Sequence, residues 1–246
     1  MSLISSLKGR IVYNSRGSKS IEIDVITDNK FLGRACAPSG ASVGSHEVPS
    51  FVDNNAEITL QKFESYKIKF VGVDASDSHA INQILRDIDT SDNYSEVGGS
   101  VAYGVSIASA ASASLSLDVP LFALLNKHGP YRFPYPLGNI LGGGAHAGPG
   151  TPDIQEVLVC PIGSKTISEA LETNFKIHKD VRMLLEKKDK NFTYGRGDEG
   201  AWAPNLNNDE AVSIVAQAVE DSGLKLGKDI ALGIDFASSS LWDSKR

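Results

Sequence analysis

Apolar and polar side chains alternate through Ser20-Ile21-Glu22-Ile23-Asp24-Val25-Ile26-Thr27, the two-residue period of a half-buried strand. Asp28-Asn29-Lys30 supplies a turn and Phe31 to Ala37 returns as the next strand, so the opening reads as an antiparallel meander. A glycine- and serine-rich loop, Pro38 to His46, follows. From there to about Leu125 the pattern is helical, broken at Asp92-Asn93 and at Pro120. The stretch Val97 to Leu117 is low in charge but interrupted by Ser106, Ser109, Ser112, Ser114 and Ser116. That predicts a buried helix packed through small residues, not a membrane span. Strands followed by a run of helices predict an α+β domain over residues 1–127. Asn126-Lys127-His128-Gly129-Pro130, poor in apolar anchors, reads as the linker.

The pattern changes in the second region, residues 134–246. Tyr135 to Leu141 and Gln155 to Cys160 are short apolar runs, the first followed by three glycines. Thr166-Ile167-Ser168-Glu169 has the form of a capping box. Ile167, Ala170, Leu171, Ile177, Val181, Leu184 and Leu185 then keep helical spacing. A second helix is predicted from Asn207 or Asn208 through Ala211, Val212, Val215 and Val219, with Gly223 as its C′ glycine. Ile230 to Asp235 reads as a third strand ending in a carboxylate. Strand, strand, helix, helix, strand is an incomplete layout: a parallel sheet with one crossover cannot bury both of its faces.

The 246 residues allow one large domain or two smaller ones. With 41% hydrophobic and 22% charged residues the composition is that of a soluble globular protein. The net charge of −6, with both signs interspersed, argues against a nucleic-acid binder, which would concentrate basic residues. Cys36 and Cys160 are too few for a disulfide framework or a thiolate metal site. They read as two buried thiols of a cytoplasmic protein. Met1 to Val12 has no continuous apolar run of the signal-peptide kind.

Candidate chemistry gathers at loops and strand ends. The segments are Pro38 to His46, Gly142-Gly143-Gly144-Ala145-His146-Ala147-Gly148, Gln155-Glu156, and Gly197-Asp198-Glu199-Gly200 followed by Ala203-Pro204-Asn205; Asp235 joins them. Carboxylates at the C-terminal mouths of barrel strands are catalytic positions. Each segment also has a plainer reading. A glycine triplet permits positive φ or close backbone approach, His146 can be a hydrogen-bonded loop histidine, and Asp235 can cap the helix after it. The triplet lacks the Lys-Ser/Thr of a phosphate-binding loop, and the five histidines show no zinc-protease spacing. Composition and periodicity do not choose between these readings; the order of whole motifs does.

Tyr13-Asn14-Ser15-Arg16-Gly17 and Pro38-Ser39-Gly40-Ala41-Ser42 resemble the opening signature and the mobile active-site loop of enolases. Gly143 to Gly148, then Gln155-Glu156, are similar to that family's glycine-histidine loop and glutamine-glutamate pair. Gly197-Asp198-Glu199-Gly200 with Ala203-Pro204-Asn205 resembles its acid-bearing motif, and Gly233-Ile234-Asp235 with Ala237-Ser238-Ser239 its first metal-ligand strand. The matches are collinear from Tyr13 to Ser239. Departures are Ser18-Lys19-Ser20 for the usual Asn-Pro-Thr, Val43 for threonine, Ala201-Trp202 for glycine and a bulky residue, and Ser240 for glutamate. Residues 51–71 align poorly, and the span from His146 to Glu156 is about one residue longer than usual.

The resemblance implies an α+β N-terminal domain followed by an incomplete α/β barrel of the TIM-like ββαα(βα)6 type. It implies a magnesium-dependent lyase that interconverts 2-phosphoglycerate and phosphoenolpyruvate, with two Mg2+ ions and a lysine base. By the same resemblance Glu199 is the general acid and Glu156 assists it, with Glu199 expected to hold the proton when substrate binds. His146, Glu156 and Ser39 contact substrate, and Asp235 and Ser42 bind magnesium. The lysine base and two further carboxylates are expected beyond residue 246, so the chain alone should bind magnesium poorly and catalyse nothing. A homodimer is implied, with Glu22 as an interface residue, and neither nucleic acid nor a membrane span. The rival readings are another member of the wider superfamily acting on a different carboxylate substrate, or a non-enzyme: a catalytically dead fragment or an interaction protein using the small domain.

Overall fold

The structure, a computed structural model, describes residues 1–126 and 128–242. Lys127 of the expected linker, and positions 243–246 of the expected second domain, lie outside the described residues. The chain divides into two compact units: Met1–Gly40 with His46–Pro130, and Ala41–Ser45 with the chain from Tyr131 onward.

The first unit opens with the strands β1 (Ile4–Tyr13), β2 (Lys19–Thr27) and β3 (Phe31–Cys36), an antiparallel sheet in that order. Asp28 and Asn29 both take positive φ, 51° and 54°. This is the turn geometry whose twist matches a hairpin, closed by Lys30 N donating to Thr27 O at 3.0 Å. The alternation of β2 sorts its side chains as expected. Ile21, Ile23 and Val25 are fully buried, while Glu22 and Asp24 lie in register with Arg10 and Arg34 of the neighbouring strands. Cys36 pairs with Glu22 and is therefore exposed, not a buried thiol; Cys160 is half-buried.

Four helices complete this unit: α1 (Ala56–Tyr66), α2 (Ser78–Ile88), α3 (Gly99–Leu117) and α4 (Leu121–Leu125). Asn55 and Asp77 cap α1 and α2 by accepting from Ile58 N and Ala80 N, each satisfying an otherwise unpaired first-turn donor. Helix α3 is, among the described residues, the one helix long and apolar enough to cross a membrane by length and composition. Its Val101, Val105, Ala108 and Ala113 are instead buried in the core with Ile21, Ile23, Phe63 and Phe70. Burial of Ser112 is reconciled by hydrogen bonds: its Oγ lies 2.9 Å from Thr27 Oγ1 and 2.7 Å from Phe31 O.

The second unit holds β4 (Gly138–Gly142), a single turn α5 (Gly144–Ala147), β5 (Glu156–Cys160), the long helices α6 (Ile167–Lys188) and α7 (Asn208–Asp221), β6 (Ala231–Asp235) and a final turn α8 (Ser238–Leu241). Thr166 caps α6 by accepting from Glu169 N at 3.2 Å, but Glu169 reaches back to Lys165 N. The reciprocal box is found instead at α7, between Asn207 and Glu210. Gly223, just past α7, takes φ +81°, as a C′ glycine does.

The expected parallel sheet is corrected here. The order is β4-β5-β6, and β5 is antiparallel to both neighbours. The short apolar runs carried no directional signal, because residue types alone do not mark which way a strand runs. Ile140, Leu141, Val157 and Val159 meet Ile177, Val181 and Leu185 of α6 and Ala211, Val215 and Val219 of α7 in one core. Among the described residues the sheet is open, with no closed barrel. The reversal of β5 places its first residue at the sheet end where β4 and β6 finish.

Candidate active site

Register builds the floor of the site. Gly142 at the end of β4 pairs with Glu156 at the start of β5, and Glu156 pairs with Asp235 at the end of β6. The two carboxylates are thus cross-strand neighbours, a placement that normally repels. Asp235 is held by its surroundings. Its Oδ1 accepts from Ala237 N at 2.8 Å, and its Oδ2 accepts from Gln155 Nε2 at 3.3 Å. It shapes the turn before α8, which has Ala237 at its N-cap.

Two loops close over this sheet end. The first continues from β4: Gly143 N donates to Gln155 O at 3.0 Å, and the turn α5 that follows carries His146. A Cβ on Gly143 would stand 2.1 Å from Pro152 O, so only glycine lets the two backbone segments approach. The second loop is tied to β4 by Trp202, whose N–H donates to Ile140 O at 3.1 Å while its carbonyl accepts from Gly142 N at 2.9 Å. Its tip, residues 197–200, is anchored by Asp198 N donating to His146 O at 3.1 Å. A Cβ on Gly197 would come within 2.6 Å of that same carbonyl. Trp202 itself is buried and stacks on His178 of α6, with ring centroids 4.7 Å apart. His178 Nε2 meets Gly200 O at 3.1 Å, so the proton of its ring faces that carbonyl.

The result is a convergence. His146 Nδ1 lies 3.4 Å from Glu156 Oε1 and 3.4 Å from Glu199 Oε2, yet it is aligned for a hydrogen bond with neither. Asn139 Nδ2 donates to Glu199 Oε2 at 3.2 Å. Asn139 Oδ1, His146 Nδ1 and Gln155 Oε1 are all buried without a hydrogen-bond partner. Each such atom costs about 1–3 kcal/mol, so their concentration at one sheet end marks a place shaped for something other than stability. Burial pushes the Glu156 carboxyl up to about 7, aided by its hydrogen bond to Glu199 and by the charges of Glu199, Asp235 and Asp198. Its side chain is 15% exposed against 45% for Glu199. Burial thus favours a protonated Glu156 in this chain; the expectation for Glu199 concerned the substrate-bound site.

Of the expected site residues, His146, Glu156, Glu199 and Asp235 are brought to one sheet end. Ser39 belongs to the first unit, its carbonyl accepting from the Arg16 guanidinium. Ser42 lies in Ala41–Ser45, which groups with the second unit. Asn139 was not anticipated as a site residue. The signal available was an amide inside the otherwise apolar strand Gly138-Asn139-Ile140-Leu141. His146, Asp198 and Glu199 each offer a ligand atom, all within 4.8 Å of one another, so the site has donors that could hold a metal.

A carboxylate pair beside an imidazole, at the end of the second unit's sheet, is an arrangement suited to acid–base chemistry. Residues 4–125 match the enolase N-terminal domain and residues 130–246 the enolase C-terminal TIM barrel domain. This chain belongs to the enolase family. It is 43% identical over 245 residues to an enolase of Methanosphaera stadtmanae, covering 99% of this chain and 59% of that relative. It is 42% identical to an enolase of Methanothermobacter thermautotrophicus, covering 98% of this chain and 58% of the relative. An enolase of Pyrobaculum aerophilum is 35% identical over 96% of this chain and 58% of its own length. The chain thus spans less than two thirds of the curated relatives it matches.

Proposed function

We propose that this chain supplies the acid half of an enolase active site, for the magnesium-dependent, reversible dehydration of 2-phosphoglycerate to phosphoenolpyruvate. The observation that carries the reading is the register of β5, which sets Glu156 beside Asp235 under the loops of His146 and Glu199. Dehydration expels a hydroxyl group, a poor leaving group that must be protonated as it departs. Glu199, on an exposed loop and hydrogen-bonded to Asn139, is positioned to deliver that proton. Glu156, buried beside it, holds a proton near neutral pH and passes it to Glu199 across their shared hydrogen bond. His146 orients substrate at the same mouth; Ser39 is a proposed substrate contact by the resemblance of its own loop motif.

The donor chemistry fits Mg2+ at Asp235, an oxygen ligand of the type this hard ion takes, with Ser42 as a second candidate. When bound, magnesium supplies positive charge to the substrate carboxylate. The imidazole of His146 is a poorer match for that ion, and is better employed on substrate. A homodimer in the cytoplasm completes the reading, although Glu22 is already engaged by Arg10 and Arg34.

The test is the rate of 2-phosphoglycerate dehydration with Mg2+, in a polypeptide extended to the length of its relatives. Glu199→Gln should lose about 10²-fold or more in rate while keeping its magnesium affinity. Near wild-type turnover in that variant contradicts the role of Glu199, and turnover unaffected by EDTA contradicts the metal.

A further inference from the structure

We propose that His178, at the middle of α6, is a positioning residue for Glu199, locking through its ring and its backbone carbonyl the hairpin that carries this carboxyl. The proposal rests on the acid reading of Glu199 and adds what holds that acid in place. Residues 195–203 turn back on themselves. Gly197 N donates to Ala201 O at 2.9 Å and Ala203 N to Gly195 O at 3.0 Å, and Arg196 bridges Trp202 in antiparallel register. Asp198, Glu199 and Gly200 form the tip, where Gly200 takes φ +86°. The Glu199 side chain is 45% exposed, so its place depends chiefly on where the tip is held.

His178 makes three separate contacts with that hairpin. Its Nε2 lies 3.1 Å from Gly200 O, the carbonyl next after that of Glu199. Its ring lies on the Trp202 indole, with 4.7 Å between centroids and 23° between planes. Its backbone carbonyl accepts from Trp202 Nε1 at 2.7 Å, satisfying a donor that a buried indole must place. A carbonyl oxygen has two lone pairs, so it takes this bond without breaking the helix. The stack fixes the plane of the imidazole, and that plane aims Nε2 at Gly200. The mount is rigid: Ile177 and Val181 on the same helix are fully buried in the core, and groups on helices hold position better than groups on loops. Burial, with the charges of Arg196 and Arg182, keeps the imidazole pKa below its ordinary value. The ring is therefore neutral near pH 7, with Nε2 carrying its one proton, because the carbonyl it faces can only accept. Phe in its place would keep the stack without the donor. Gln would keep a donor at the reach of Nε2.

The test is kinetic, in the polypeptide extended to the length of its relatives. His178→Phe should lower kcat for 2-phosphoglycerate dehydration by about 10- to 100-fold, the scale of an ångström-sized misplacement, and leave KM and magnesium affinity unchanged. His178→Gln should recover most of that loss. Because His178 acts through Glu199, adding His178→Phe to Glu199→Gln should slow the reaction no further. In the 246-residue chain, nitrogen-15 NMR should show the His178 ring protonated at Nε2 near pH 7. A ring protonated at Nδ1 alone overturns the proposal. So does wild-type kcat in a folded His178→Phe variant, no recovery in a folded His178→Gln variant, or a full second loss in the double variant. Near wild-type turnover in Glu199→Gln is a different result: it removes the acid reading, and this role with it. The tautomer needs no variant, which keeps the test decisive if His178→Phe fails to fold.

Discussion

Each unit of this molecule gathers carboxylates on a β-strand, and the two gatherings are chemically opposite. On β2, Glu22 and Asp24 face Arg10 and Arg34 across the sheet, and both arginines bond to Asp24. The Arg34 guanidinium, with Arg10 beside it, holds the Asp24 carboxyl below the usual carboxylate range despite its burial. At the start of β5, Glu156 has Glu199, Asp235 and Asp198 around it, and among the described residues no arginine or lysine within ion-pair distance. Its pKa moves the other way. Carboxylates withdrawn from solvent thus form an ion-pair lattice where arginines face them, and keep a raised carboxyl where none does. Only the second arrangement carries a raised carboxyl, the kind of perturbation that clusters at functional sites.

The contrast can be broken by mutation, most severely through Trp202. This buried indole ties the Glu199 loop to β4 and stacks on His178, and the lattice on β2 has no counterpart to it. Trp202→Ala should destabilise the second unit by about 3–5 kcal/mol, read as loss of its urea transition while the first unit's transition stays put. Next is Asp24→Ala, expected to cost about 1–3 kcal/mol as hydrogen bonds to charged groups are lost. Because the folded pKa of Asp24 is depressed, its contribution is present above the ordinary value of 3.8 and fades as pH falls through the folded value. The variant and wild type should therefore converge in acid.

Glu156→Gln should do the reverse. The folded chain binds the Glu156 proton more tightly than the unfolded chain does. Wild-type stability then falls as pH rises from the ordinary 4.5 through about 7. Removing the carboxyl should raise the melting temperature above pH 7 and change it little below pH 4.5. A uniform fall at every pH would show that Glu156 matters for packing and not through its proton. Smallest of all, Arg34→Gln should have a weak effect that shrinks further in high salt, since its side chain is 50% exposed.

The sequence disclosed much of this unevenly, for physical reasons. Strands β2 and β3 were legible because one face is buried and one solvated, which writes a period of two into the residues. Strand β1 was not recognised: its register shifts between Ile4 and Ser6. Its apolar positions Ile4, Leu7 and Ile11 consequently fall three and four apart, a helical spacing. The helices α6 and α7 announced themselves through caps and periodicity. In α6, Ile177, Val181 and Leu185 are buried as expected, but Ile167 and Leu171 remain exposed. Strand direction in the second unit left no trace in residue types, so the coincidence of Glu156 and Asp235 at one sheet end could be expected only through resemblance of motifs. Asn139 escaped notice because a single amide in a short apolar run carries no pattern.

The central claim is that Glu156 and Glu199 share one proton near neutral pH, and carbon-13 NMR of the glutamate side-chain carboxyls tests it most directly. Glu156 should titrate with a midpoint near 7, and that midpoint should drop when Glu199 is replaced by glutamine. A Glu156 midpoint within the ordinary glutamate range, indifferent to the Glu199 substitution, would contradict it.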